Sequence, residues 1–267
     1  MRPRRRSQAG QRVQRAVMLL HGGRCVARRC GKQRWAARRS LCSAAAAPPP
    51  LDERPSVIVA GGGAAGLTAA FFAARAGARV IILERNAECG KKILMSGGSR
   101  ANVLPAASRT KGDYFTSADG ASQRSLARLL ATWPLADVHA WLQAEVGIPL
   151  RLEEDSEKGF PEVNSGRAVR DALLAAAVRA GATVLHKHSV ERVAPLPGGG
   201  WGVAVCGAAV DKTAHCVVLA TGGLSFPAVG TDGAGHAMAQ QLGIASASFS
   251  LCSHFFYTKL IFLTFFF

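Results

Sequence analysis

The sequence predicts an α/β fold, and three observations carry that expectation. Strand-like apolar runs alternate with helix-like stretches from residue 55 to residue 243, the pattern of a parallel sheet covered by helices. The first two runs, Ser56 to Ala60 and "RVIILE" at 79 to 84, are apolar almost throughout rather than alternating, as strands buried on both faces are. Hydrophobic residues make up 49% of the 267, enough to fill the core of one large domain.

The formal charge of +16 suggests a nucleic-acid partner until it is located. Residues 1–51 hold thirteen Lys and Arg and no acid, and the remainder carries only +3. The body is nearly neutral and shows no basic face interleaved with aromatics, which argues against nucleic acid as a partner. The leader is rich in Arg, Ala and Ser, the composition of an organelle transit peptide, and lacks the apolar run of a secretory signal. Residues 1–54 are therefore read as transit peptide and linker. A solvated basic tail and an RNA-binding arm are the alternatives. Import into the chloroplast, with the mitochondrion as alternative, makes the organelle import machinery a partner. Cys89, Cys206, Cys216 and Cys252 have no paired short spacing, so neither a zinc site nor a disulfide framework follows.

Residues 55–244 form the expected domain. Ser56 to Ala60 is a buried strand, Ala64 to Ala76 an alanine-rich helix stopped by Gly77, and 79 to 84 the second strand of a βαβ unit. Residues 85–120 show little periodicity and read as a long loop region. Helices are expected near 122–132 and 134–146, with Pro134 suited to a first turn. "PLRLEEDSEKGFPEV" reads as strand, polar turn and strand. A helix over 165–180 ends at Gly181. "TVLHKHSVERVAPL" is strand-like, "PGGG" turns the chain, and "WGVAVCG" returns, giving a small hairpin layer at 189–207. "HCVVLATGG" is another buried strand ending in glycines, and Asp232 to Leu242 is a last short helix before Gly243.

The sharpest signal is "VIVAGGGAAGL", in which Gly61, Gly63 and Gly66 match Gly-x-Gly-x-x-Gly between strand and helix. Gly61 permits a tight turn. Gly63 has no side chain to block a pyrophosphate. Gly66 lets the helix pack close to the strand. The helix start offers backbone N–H groups and a positive dipole end to phosphates. Glu84 ends the second strand, where a carboxylate can accept both ribose hydroxyls of an adenosine moiety. The pattern implies a dinucleotide site, with a purely structural glycine turn as the alternative. It does not separate FAD from NAD, and the acid argues against a 2′-phosphate.

A second loop, "SGGSRAN" at 96–102 with Lys91, Lys92 and Arg100 near it, can bring N–H groups and cations to a phosphate or flavin edge; an ordinary polar loop is the alternative. Four blocks, "VIVAGGGAAGL", "LERNAECGKKILMSGGSRANV", "GFPEVNSGRAVRDALL" and "VVLATGGLSFPAVGTDGAGHAMAQQLG", together resemble the bacterial YhiN-type flavoproteins, also called BaiN-like or aminoacetone-oxidase-like FAD-binding proteins. The resemblance implies a Rossmann-like, two-dinucleotide-type FAD domain with an inserted substrate domain. It implies that Gly61, Gly63 and Gly66 hold the pyrophosphate and Glu84 the adenosine ribose. Ser96, Gly97, Gly98, Arg100 and Asn102 would line the middle and flavin end. Val190 would meet the adenine through its backbone, and Thr221 and Gly222 would approach from another strand end.

Two departures stand out. The family loop reads SGGGRCN, so Ser99 replaces a glycine and Ala101 a cysteine; a positive φ at Ser99 would be strained. Beyond "QQLG" the family's substrate domain and late glycine pair are not met. Residues 245–267 instead end in a phenylalanine-rich tail, with six Phe in the last thirteen residues, too short to span a bilayer. A truncated or mis-spliced product, a packing strand and a membrane anchor are the readings of that tail.

The expected function is an FAD-dependent oxidoreductase passing hydride between a small organic substrate and flavin. NAD(P)H would visit transiently as donor, because only one Gly-x-Gly-x-x-Gly follows a strand. The alternative is an inactive fragment of such a flavoprotein. No catalytic residue is assigned. His186 and His188, alternating on one strand, should share a face, and lacking a third ligand they do not make a metal site. Glu153, Glu154 and Asp155 read as a solvated hairpin tip, and His215 and His236 as lone histidines.

Overall fold

The computed structural model describes residues 54–105, 124, 127–128, 131–153, 155, 157–206, 208, 212–224, 230–244 and 265–266. The expectations for the leader and for most of the helix near 122–132 and of the tail lie outside the described residues.

Four parallel strands make the central sheet: β1 (Ser56–Ala60), β2 (Arg79–Glu84), β6 (Ala182–His186) and β10 (Cys216–Leu219). Their order is β10-β1-β2-β6, with β1 paired in parallel to β10 on one side and β2 on the other. A short antiparallel strand, β11 (Phe265–Phe266), pairs outside β10, with Phe266 opposite Val218.

β1 is buried on both faces, as its apolar run requires. Val59 faces a core shared with the helices α1 (Ala64–Arg75), α3 (Leu135–Trp141) and α4 (Gly166–Arg179), where Leu67, Phe71, Trp141, Val169 and Leu173 are buried. Burial of Leu67 and Phe71 stabilises the α1–sheet contact by about 1.5–3 kcal/mol each. Phe71, Phe72, Trp133 and Trp141 pack mainly edge to face with ring centroids 5.1–5.5 Å apart, tying α1 to α3. Ile58 and Ala60 face the other way, into a second core with Val193, Val203 and Val205 of an antiparallel sheet: β7 (Val190–Pro195), β8 (Trp201–Val205) and β9 (Lys212–Ala214). Helices, parallel sheet and hairpin layer are thus three stacked layers.

Three elements differ from the sequence expectation. The long loop region contains a five-residue helix, α2 (Lys91–Met95), and a two-residue strand, β3 (Leu104–Pro105), which pairs with β5 (Lys158–Pro161) beside β4 (Leu150–Glu153). The helix beginning at Leu135 widens into a π turn over Leu142–Val146 and stops at Gly147. The segment read as one strand over 183–196 is two. Lys187 adopts φ +58°, breaking the run so that β6 stays in the central sheet while β7 joins the hairpin layer. His186 and His188 therefore do not share a strand face; His188 Nδ1 lies 2.7 Å from the His186 carbonyl oxygen.

α4 starts where Ser165 caps it, its hydroxyl accepting the Ala168 N–H at 3.4 Å. The last described helix, α5 (Ala234–Gln241), starts after Gly233 and is followed by Gly243 at φ +79°.

Candidate functional site

β2 and β10 flank β1 on opposite sides, so the chain reverses its direction of travel across the sheet between β1 and β10. A crevice opens at such a reversal, outside the carboxyl ends of the strands. Here it is a cleft of about 310 Å³ whose walls include Gly61, Gly63, Glu84, Val190, Thr221 and Gly222. Six of the residues expected from the sequence therefore converge on one place.

The glycines of the first loop have separate reasons to be there. Gly61 stands at φ +107°, and a methyl group on it would lie 2.8 Å from the Ala220 carbonyl carbon at the end of β10. A methyl on Gly66 would run into the Gly61 carbonyl oxygen and lie 3.2 Å from Val59 Cγ1, so α1 can approach β1 only with glycine there. A methyl on Gly62 would collide with the Cys89 thiol. Gly63 is different: nothing lies within 4 Å of the position a methyl would take. It is the N-cap of α1, has no side chain to cap the helix, and the first turn carries no acid. A helix start of this kind, open to a cleft and uncapped, fits an anionic group such as a diphosphate.

Glu84 is buried, and its carboxylate is held on three sides. Oε2 accepts the Gly62 N–H at 2.8 Å, and Oε1 accepts both the backbone and the side-chain N–H of Asn86 at 2.8 Å. Asn86 in turn accepts Lys91 Nζ at 3.1 Å. Glu84 thus joins the glycine loop to the loop after β2. Lys91 and Lys92 also border the cleft, and burial holds the Lys92 ammonium below its ordinary pKa.

The opposite wall follows β10. Thr221 Oγ1 accepts the Gly235 N–H at 3.0 Å and so anchors the start of α5. Gly222 stands at φ +81°, and a methyl on it would lie 2.9 Å from Thr231 Cγ2. Arg85 reaches Asp232 at 2.7 Å and holds its carboxyl below the usual range, the hydrogen bond being the largest cause. The loops after β2 and before α5 are therefore tied together at the cleft. Val190 borders the cleft at the start of β7, and His188, whose N–H donates to the Glu84 carbonyl at 2.8 Å, stands next to it.

Ser96, Gly97, Gly98, Arg100 and Asn102 are not among the residues bordering this cleft. Their loop lies past the end of α2, against β5 and the start of α4. A methyl on Gly97 would come 2.8 Å from the Asn102 nitrogen and 2.9 Å from Phe160 Cε1. Arg100 stacks 4.1 Å over the Phe160 ring and pairs with Glu153 at 2.7 Å, so Glu153 is engaged rather than a solvated hairpin tip. Ser99 and Ala101 adopt φ +69° and +61°, the left-handed region in which the expected strain arises, and the Ser99 carbonyl accepts the Gly166 N–H at 2.7 Å.

Three residues of the site carry no motif signature. Asn86 clamps Glu84. Cys89 fills the space under Gly62, and burial, with Glu84 adding to it and Arg170 opposing, pushes its thiol up to about 12. Arg170, buried on α4, donates to Glu88 at 3.3 Å and to the Cys89 carbonyl at 3.5 Å, bracing the same loop from beneath. Only the contiguity of Asn86 and Cys89 with Glu84 could have drawn attention to them. His215 is not lone: its Nδ1 lies 2.9 Å from Ser56 Oγ and accepts the Ser56 N–H at 3.1 Å.

Residues 55–250 match the HI0933-like protein Rossmann domain. The chain is 30% identical over 187 residues to a ribosomal RNA dihydrouridine synthase of Escherichia coli, covering 64% of this chain and 40% of that protein. Among solved structures it is similar to a THI4 protein of Thermovibrio ammonificans, at 20% identity and a TM-score of 0.45, over 72% of this chain and 64% of that one. It is also similar to a glycine oxidase of Geobacillus kaustophilus, at 18% identity and a TM-score of 0.45, over 72% and 59%.

Proposed function

The chain belongs to the HI0933-like family of FAD-binding Rossmann proteins, and from that premise we propose that it is an FAD-dependent oxidoreductase. The observation that carries the reading is the contrast within the first glycine loop. A side chain on Gly61, Gly62 or Gly66 would strike a neighbour, whereas at Gly63, an uncapped helix start bordering the cleft, nothing lies within 4 Å of that position. In this reading the N–H groups at the start of α1 bind the diphosphate, Glu84 accepts from the adenosine ribose, and the Val190 backbone meets the adenine. Thr221 and Gly222 close the wall after β10. Ser96, Gly97, Gly98, Arg100 and Asn102 serve the flavin end. Bound FAD would supply hydride acceptance and donation; the residues named here would hold and orient it.

The donor is proposed to be NAD(P)H visiting transiently, and the acceptor a small organic molecule. The chain spans about 40% of the length of its curated relative, so a substrate is proposed by class alone. That relative's name favours a second reading, in which the acceptor is the carbon–carbon double bond of a uracil in RNA. Residues 1–54 are proposed to direct the chain to the chloroplast, which a fusion of that segment to a fluorescent protein tests.

The deciding experiment is reconstitution of the purified full chain with excess FAD, followed by gel filtration and absorbance in the flavin bands. Retained FAD at one per chain is expected. A folded chain that retains none overturns the proposal. Turnover of NADPH with a small enone, against a uridine-containing RNA, then separates the two acceptors.

A further inference from the structure

A carboxylate offers about four acceptor positions. At Glu84 three are taken, one on Oε2 by the Gly62 N–H and two on Oε1 by Asn86, each at 2.8 Å. The Asn86 amide cannot rotate away from this task. Its oxygen accepts from Lys91 at 3.1 Å, its backbone carbonyl accepts the Lys187 N–H at 3.0 Å, and Gly230 packs so close that a methyl there would lie 2.7 Å from Asn86 Nδ2. Among the described residues these three are Glu84's side-chain contacts, which leaves one acceptor position, on Oε2, beside the glycine loop.

We propose that Asn86 is a positioning residue for recognition of the adenosine ribose: by occupying Oε1 it leaves Glu84 to read one ribose hydroxyl rather than two. The inference rests on the dinucleotide reading above and replaces the sequence expectation that the acid takes both hydroxyls. It makes the sugar contact directional, because a hydroxyl can be accepted from one side of the carboxylate only.

The test is calorimetric titration of the full chain with ADP, 2′-deoxy-ADP and 3′-deoxy-ADP. The native chain is expected to bind one of the two deoxy analogues roughly tenfold more weakly than ADP, the loss of one charge-assisted hydrogen bond, and the other as well as ADP. Asn86→Ala is expected to erase the difference between the analogues. Asn86→Ser, whose hydroxyl can donate to Oε1, should restore part of it. A residue that merely supported the fold would weaken all three ligands alike. Equal losses for both analogues on the native chain overturn the inference even if Asn86→Ala does not fold, and so does Asn86→Ala keeping the native ratio. Failure of the native chain to bind ADP or FAD at all would instead count against the dinucleotide reading itself.

Discussion

Gly63 and Gly97 sit in loops of similar composition, and a methyl group placed on each meets opposite surroundings. At Gly63 it would stand in open space within the cleft; at Gly97 it would strike the Asn102 backbone and the Phe160 ring. The first loop is empty on its outer side and tightly built beneath, where Gly61, Gly62 and Gly66 touch β10, Cys89 and β1. The second is packed at Gly97, with Arg100 over Phe160 and the Ser99 carbonyl bonded to α4, while the neighbouring Gly98, at φ +66°, has open space around it. A run of glycines therefore marks close approach of main chain in both cases. Whether the approaching group is the protein itself or a ligand depends on what the fold leaves vacant.

The contrast can be broken most severely at the glycines beneath the cradle. Gly61→Ala and Gly66→Ala should each cost about 3 kcal/mol or more, through left-handed strain at the first and overlap with the Gly61 carbonyl at the second. Urea denaturation measures this, and near-native midpoints would mean that the strands are not so closely joined. Gly63→Ala should change stability by less than about 0.5 kcal/mol while weakening FAD, by fluorescence titration, roughly tenfold or more. Parent-like affinity in that variant would refute the vacancy as a binding place.

In the second loop the sign reverses. Ser99→Gly, relieving an exposed left-handed residue, should stabilise by about 0.5–1 kcal/mol. Ala101→Gly should be close to neutral, since relief at φ +61° is offset by loss of a buried methyl group. The smallest effect belongs to Asp232. Its carboxyl is held below the ordinary 3.8 by Arg85, so the contribution of the pair is complete above that pH and is lost as the pH falls below it. Because both partners are largely exposed, it is a few tenths of a kcal/mol at most. Asp232→Asn should remove that acid-side slope from the unfolding profile, and an unchanged slope would assign it to other carboxylates.

The central βαβ unit was legible because its signals are local. Apolar runs without alternation, glycines at the turn and an acid at the end of the second run each act within a few residues of themselves. β10 was legible for the same reason. The break at Lys187 was not, because nothing in "LHKHS" distinguishes a strand from a strand that turns left-handed and changes sheets. β3 is only two residues long and exists because β5 is there to pair with it. Gly61, Gly63, Glu84, Val190, Thr221 and Gly222 were named from pattern or resemblance, and the structure brings them to one cleft. The packing that serves them stayed hidden. Cys89 under Gly62 and Arg170 under Gly90 are meetings of segments far apart in the chain, and Asn86 looks like any loop asparagine until its amide is seen against Glu84. Composition likewise does not say which surface the 96–102 loop turns toward; the structure sets it beside β5 and the start of α4, off this cleft.

The turn at Lys187 has a consequence for how the molecule can vary. Lys187 and His188 donate main-chain hydrogen bonds to the Asn86 and Glu84 carbonyls, and Val190 follows two residues later. The carboxylate at the end of β2 and the first residue of the hairpin layer are therefore parts of one rigid bracket. Its span is set by backbone, not by side chains, so drift in the surrounding sequence leaves it unchanged. A single inserted or deleted residue between 186 and 190 would alter that span at once.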